Sequence, residues 1–451
     1  MKVVFQMKRQ IVAGCSLALC CFAGCVSVDS DAVSAQDSIR MDQAVQAVGW
    51  SEHLAKESVY SKNLGAVEAG RVKMLCGDFA SAETWFRTAV DSAIDRKEKS
   101  PKIKLGDVGN TILASTLTDD RTREYYLEPY ELNLALSYGL IAQVVNGRKE
   151  DALADARLAV YVQDNLAETY GADVGKASTS DNASATKIYG EQSAAMEDVM
   201  AGTRNSWENP VLWWLTGVLF EADGDLEMAW QSYRKANAVR GGNAVFSADV
   251  ARADAGTRTP AKGFAKLVVV YEEGLVPIRK SLKVPVPLYT MMSIDIPQYD
   301  EKYAYSPNRV SVDGAQGPVA AAPALDVRAL AYRDLHEHLP GIIVRNVTRA
   351  TAQTGAQAAV NYAGNDYARL AMLLGNAAIS AIRSADTRSW VTLPDGQQVW
   401  EDGAMKPGDY RIGVTVNGRQ VSVPVTLSAG QTRLLWIADC GQGFRTALAT
   451  L

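Results

Sequence analysis

The sequence predicts a multidomain chain: an all-α array of helical repeats, followed by a smaller α+β domain that ends in an antiparallel β meander. Three observations carry this. In the first half, small residues recur at equal offsets behind a glycine in three separate segments. Past Gly241 the helical spacing gives way to β-branched runs such as Lys266-Leu267-Val268-Val269-Val270-Tyr271. Near the end, Asn417-Gly418 separates two strand-like runs, a strong hairpin signal because Asn-Gly suits a type I′ turn.

The chain opens with a targeting segment. Lys8 and Arg9 form a basic start, Ile11 to Ala23 an apolar run of 13 residues, and Ala23-Gly24-Cys25 a small-residue exit. A membrane-spanning helix needs roughly 20 apolar residues, so this run suits a cleaved signal peptide over 1–24. Cysteine at the exit marks a bacterial lipoprotein signal. It resembles the usual Leu-Ala-Gly-Cys box, with Phe22 where leucine is commonest. The competing reading is an ordinary secretory signal with chance cysteines, since Cys15, Cys20 and Cys21 lie nearby. Met7 is an alternative start. Under the lipoprotein reading Cys25 carries the acyl chains (palmitate among them), and two or more chains anchor stably. Val26, where an aspartate would favour the inner membrane, leans the address towards the outer membrane, facing the periplasm. Residues 25–38, polar and acidic, read as the acylated cysteine and a flexible tether.

Removing 24 residues leaves 427 of 451, too long for one core, so two domains are expected: helical over 39–250 and α+β over 260–451. A net charge of −5 excludes the basic footprint of nucleic-acid binding. Beyond the signal the cysteines are Cys25, Cys76 and Cys440. Cys76 with Cys440 is the one disulfide left open, and burial of both as small apolar residues is the preferred expectation.

The repeat signature takes three forms. Gly77 precedes Ala82, Phe86 and Ala89. Gly147 precedes Ala152, Ala156 and Ala159. Gly224 precedes Ala229, Tyr233 and Ala236. Glycine ends one helix because it tolerates positive φ, and small residues then line a close helix contact. Gly70 and Gly217 each stand seven residues before a hinge glycine; in the middle copy Leu140 takes that place and Ala156 replaces the aromatic residue. These positions resemble tetratricopeptide repeats, and that resemblance implies stacked helix pairs with a concave protein-binding face. Trp213, Trp214 and Trp230 are expected in the repeat core. Residues 172–185, rich in Ala, Ser, Gly and Asp, read as a loop.

In the second half, 266–271, 280–286 and 289–296 read as strands, the last two as edge strands because of Pro285, Pro287 and Pro297. Residues 299–323 read as loop. Helical spacing returns over 326–353, with Val327, Leu330, Leu335, Ile343 and Val347 as core. Pro340 divides it into two helices, and a third helix follows over 356–383. Then come a strand at 388–393, the hairpin 410–427 and a closing strand at 432–437.

Chemistry is sparse. There are three histidines, and His336 and His338, two apart on a helix, point about 200° from each other and cannot chelate one metal. They read as exposed helix-end residues before Pro340. Asp386 with Arg388 reads as an ion pair pinning the following strand. Arg345 and Arg349 read as paired with local carboxylates. Nucleophile-elbow, phosphate-loop and Cys-x-x-Cys motifs are missing from the sequence, so no catalytic residue, cofactor or metal is expected.

The order of short motifs carries a further resemblance. Tyr130 to Tyr138, Glu150-Asp151-Ala152, Asn209-Pro210, Val268 to Val270 leading to Glu273-Gly274-Leu275-Val276-Pro277, and Ala385 to Trp390 leading to Leu393-Pro394 follow the signal in turn. Together they are similar to a family of uncharacterised bacterial outer-membrane lipoproteins with tetratricopeptide-like helices. That resemblance implies fold and location and no activity. The expected function is a membrane-anchored scaffold or adaptor that binds a protein partner in the envelope. The alternative is a periplasmic enzyme acting on cell-wall material. A concave cluster of carboxylates with raised pKa values would favour the enzyme; an elongated groove lined by Asn, Tyr and Arg would favour the binder.

Overall fold

The structure, a computed structural model, describes residues 27–58, 60–95, 102–103, 123–174, 183–287, 291–300, 303–362 and 385–451. The signal segment and Cys25 lie outside these residues, as do most of the expected loop at 172–185 and most of the third helix expected over 356–383. Among the described residues no helix is long and apolar enough to cross a membrane.

Helices fill the first half: α1 (Ser27–Arg40), α2 (Val48–Glu57), α3 (Lys62–Leu75), α4 (Phe79–Ala93), α5 (Pro129–Val145), α6 (Lys149–Val174), α7 (Ala183–Met200), α8 (Pro210–Asp223), α9 (Leu226–Val239) and α10 (Ala244–Asp254). A two-residue bridge, β1 (Ile94–Asp95) with β2 (Lys102–Ile103), follows α4. The second half is sheet-rich: β3 (Ala265–Glu273), β4 (Arg279–Pro287), β5 (Met291–Tyr299), β6 (Val310–Gly314), β7 (Gly317–Ala320), β8 (Ala322–Asp326), helix α11 (Val327–Tyr362), then β9 (Gly396–Met405), β10 (Gly408–Val416), β11 (Arg419–Leu427), β12 (Thr432–Asp439) and β13 (Phe444–Thr450). The expected order, helices and then a mixed region with antiparallel strands, is present.

The helix hinges repeat one bonding pattern. Gly77, Gly147 and Gly224 have φ of 82°, 75° and 95°. After each glycine the next N–H reaches back five residues in a 6→1 bond: Asp78 to Lys73 O, Arg148 to Gln143 O and Asp225 to Phe220 O. That is the Schellman closure, which needs a left-handed residue at the glycine. Asp78 and Asp225 then cap the next helix by accepting from Ser81 N and Met228 N. Ala82, Ala152 and Ala229 are all buried. Gly70 and Gly217 leave room for a ring sixteen residues on: an added Cβ would lie 2.8 Å from Phe86 and 2.7 Å from Tyr233. In the middle pair the volumes at these two positions are exchanged, and Leu140 and Ala156 are both buried.

Three layers result. The sheet β13-β12-β3-β9-β8 lies in the middle, with β12 parallel to β3 and its other neighbours antiparallel. Along β3, Val268 and Val270 face the helices, while Leu267, Val269 and Tyr271 face the second sheet, β11-β10-β6-β7. Both faces are covered, which is why β3 reads as an unbroken β-branched run. Helices α5 and α8 are apolar around their whole circumference because they are enclosed between their partner helices and the mixed region.

Several expectations need correction. Residues 27–40 form a helix and not a flexible tether: Ala32, Ala35 and Ile39 are buried, and Gln36 Nε2 donates to Val276 O and Val391 O at 2.8 and 2.6 Å. The change from helix to strand falls between Asp254 and Ala265, and it does not divide the core. One apolar cluster runs from Ala35 to Leu451 across it, because the helices pack on the middle sheet. Helix α11 passes through Pro340 without a break: Leu339, Pro340 and Ile343 are all buried, and that packing offsets the missing N–H. Strands β6 and β7 occupy the segment expected to be loop, and the chain at 388–393 forms no strand, turning at Val391 and Thr392. The terminal meander is only partial. Strands β10 and β11 form the expected hairpin, with Asn417 at φ 46°, but β12 leaves it for the middle sheet. Cys76 and Cys440 are free thiols, and Cys76 is exposed.

Candidate functional site

Two constellations of buried polar groups lie where the helices meet the mixed region. The first is a cleft that holds the chain's own segment Ala385–Leu393. In this strap Trp390, Val391, Thr392 and Leu393 are buried. The cleft grips it mainly by its backbone. Glu131 Oε1 accepts from Trp390 N at 2.9 Å, and Glu68 Oε1 accepts from Val391 N at 2.7 Å. Arg71 Nε donates to Thr392 O at 3.3 Å, and Gln36 Nε2 to Val391 O. One side-chain bond, Thr392 Oγ1 to Glu68 Oε2 at 2.5 Å, joins these. At the strap's entrance the expected pair forms: Arg388 binds Asp386 at 2.7 Å and donates to Tyr60 O and Arg123 O.

Burial pushes the Glu68 carboxyl up to about 8, outweighing the donors from Thr392 and Val391, and the nearby Glu131 adds to the rise. The folded value exceeds the unfolded one. The stability held in this proton is therefore fully present below about pH 4.5 and is lost as pH rises towards about 8. Glu68→Gln, which keeps an uncharged group there, is expected to remove that slope. Thermal midpoints at pH 5, 7 and 8.5 check it. The wild type should lose ground to the variant as pH rises, and parallel curves would contradict the assignment.

The second constellation gathers Glu128, Asp334, Glu337 and His338 at the junction of α5 and α11. Arg279, from β4, donates to Asp334 Oδ2 at 2.9 Å and to Tyr299 Oη at 2.8 Å. His338 Nδ1 lies 2.9 Å from Asp334 O, and His338 Nε2 lies 3.6 Å from a Glu128 carboxylate oxygen. Burial holds the Glu128 carboxyl well above its ordinary range, with Asp334 and Glu131 adding to the rise. Burial likewise lifts Glu337 to about 7 against its bond from the Ser206 hydroxyl. Among the described residues, Glu128, Asp334 and His338 form a three-donor group able to hold a metal ion.

The sequence reading missed both. His336 and His338 are not exposed helix-end residues: each is half-buried inside a continuous helix, and His336 faces Tyr189 and Ser193. They still do not share a ligand. The signal that could have been read is Asp334-x-x-x-His338, one turn apart on one helix face; Glu128, some two hundred residues away, carries none. His53 is exposed and lies beside Glu57. Trp213 and Trp214 are buried in the helix core, and Trp230 is half-buried.

A separate cavity of about 120 Å³ is lined by Gly202, Arg204, Glu208, Arg240 and Asp326, with the Asp326 carboxyl raised by burial to about 6. Comparison with protein-family models, with curated proteins and with solved structures finds no match.

Proposed function

We propose that the protein is an outer-membrane lipoprotein, acylated at Cys25 and facing the periplasm, whose tetratricopeptide-like helix pairs serve as a protein-binding scaffold. The observation that carries this reading is the strap. The helices hold the segment Ala385–Leu393 through its main-chain donors and acceptors, the chemistry by which such arrays take peptides. The strap occupies part of the inward face, so a partner docks beside it or on the outer helices α4, α6 and α9. Helix α1 starts two residues after Cys25 and packs on the body. The lipid would therefore hold the folded mass within a helix length, about 21 Å, of the bilayer. Close tethering raises the effective concentration near membrane partners.

The raised carboxyls of Glu128 and Glu337 favour a second reading, an enzyme acting on cell-wall material. Against it, Glu131 and Asp334 are fully buried.

The test joins labelling to cross-linking. The wild-type chain should incorporate a palmitate analogue and fractionate with outer membranes, whereas Cys25→Ser should lose both properties. Cross-linking in intact envelopes should trap one discrete protein on the wild-type chain. Undiminished labelling of Cys25→Ser overturns the anchor, and failure to trap any protein overturns the scaffold.

A further inference from the structure

We propose that Glu128, Asp334 and His338 bind one divalent transition cation of the zinc or manganese class. The argument starts from the imidazole. His338 Nδ1 is 2.9 Å from the Asp334 carbonyl oxygen, which can only accept, so Nδ1 carries the hydrogen. In the neutral ring the lone pair then sits on Nε2. It faces a Glu128 carboxyl oxygen at 3.6 Å, too long for a hydrogen bond. A separation of that size suits two ligands of one ion with bonds of about 2.0–2.2 Å. A backbone carbonyl fixing the far nitrogen is also how metal-binding histidines are commonly oriented.

The third donor supplies an independent observation. Asp334 is fully buried, and its Oδ1 accepts no hydrogen bond, lying 3.6 Å from His338 Nδ1, although Oδ2 is held by Arg279. A buried carboxylate oxygen without a donor is costly unless a cation meets it. One donor atom from each of the three residues lies within 4.8 Å of the others, so small side-chain rotations close the set. Asp334 and His338 share one face of α11, and Glu128 stands at the start of α5, so the ion would fasten these two helices together. The charged and titratable groups facing it are Arg279, Arg333, Glu131, Glu337 and Asp386. Glu128 and His338 are partly exposed, giving the ion a way in. One nitrogen and two carboxylates suit zinc or manganese better than calcium, which prefers oxygen ligands alone.

The test uses the full chain in detergent after chelator treatment, titrated with Zn²⁺ by calorimetry and with Co²⁺ by visible absorption. The wild type should bind one Zn²⁺ per chain and develop a Co²⁺ d–d band. Glu128→Gln and His338→Gln should each weaken Zn²⁺ at least tenfold, and His338→Gln should abolish or shift the band. His53→Gln, at an exposed histidine, should change nothing. Circular dichroism establishes that each variant is folded. If His338→Gln unfolds, Glu128→Gln at the partly exposed helix start decides alone. No binding by the wild type, or equal affinity in wild type and Glu128→Gln, overturns the site.

Discussion

Trp390→Ala is expected to destabilise the chain by about 3–5 kcal/mol, the range for removing a fully buried tryptophan. The indole is wholly enclosed, with ring centroids 6.2 Å from Phe86 and 5.9 Å from Tyr138, and its Nε1 donates to Thr392 Oγ1 at 3.0 Å. The loss would not stay local. Phe86 is the ring that Gly70 makes room for, so the cavity would open at the contact between α3 and α4. The strap would also lose its apolar plug while its backbone bonds to Glu68 and Glu131 remained. The midpoint of urea unfolding checks the size. Protease cutting within 385–395 checks the place, since a loosened strap should become a cleavage site while the rest of the chain stays resistant. A variant with the parent's midpoint would show that the strap is not part of the cooperative core. Trp390→Phe keeps most of the volume and should recover much of the loss.

The strap also marks the limit of what could be read from the sequence. The glycine hinges were legible because local backbone chemistry dictates them: Gly77, Gly147 and Gly224 need positive φ whatever surrounds them. The hairpin at Asn417-Gly418 was legible for the same reason. Long-range contacts were not. Strand β9 went unseen because Gln397, Gln398 and Glu401 give it a polar sequence, although all three are used inside: Gln397 binds Glu272, Gln398 binds Glu273, and Glu401 holds buried Lys266 at 2.8 Å. The apolar stripe on α1 was obscured by polar residues such as Ser30, Asp31, Ser34 and Asp37, which lie on the outer face. The candidate cation site was legible only through its one-turn Asp334–His338 spacing, because its third member comes from a distant helix.

Buried ions explain why a helical half and a mixed half read as two domains yet share a core. Arg71 and Glu272 are both fully buried and form an ion pair at 2.7 Å that ties α3 to β3. The guanidinium also lies 4.6 Å from the Tyr138 ring centroid and 5.5 Å from that of Trp436, and it donates to Thr392 O. One side chain thus touches α5, β12 and the strap. In a sequence, an arginine on a helix reads as solvent-facing, and nothing local reveals the partner. Arg71→Met is expected to cost about 3–5 kcal/mol, because it leaves the Glu272 carboxylate buried without its cation. Arg71→Met with Glu272→Gln removes both charges and keeps an acceptor for Gln397 Nε2, which now bonds Glu272 Oε1 at 2.7 Å. The double variant should therefore recover most of the loss and fall within about 1–2 kcal/mol of the parent. Urea unfolding of the four species forms a double-mutant cycle that isolates the coupling. A double variant whose loss equals the sum of the two single losses would mean that the ions do not couple across the joint. The cohesion of the two halves would then rest on apolar contact alone.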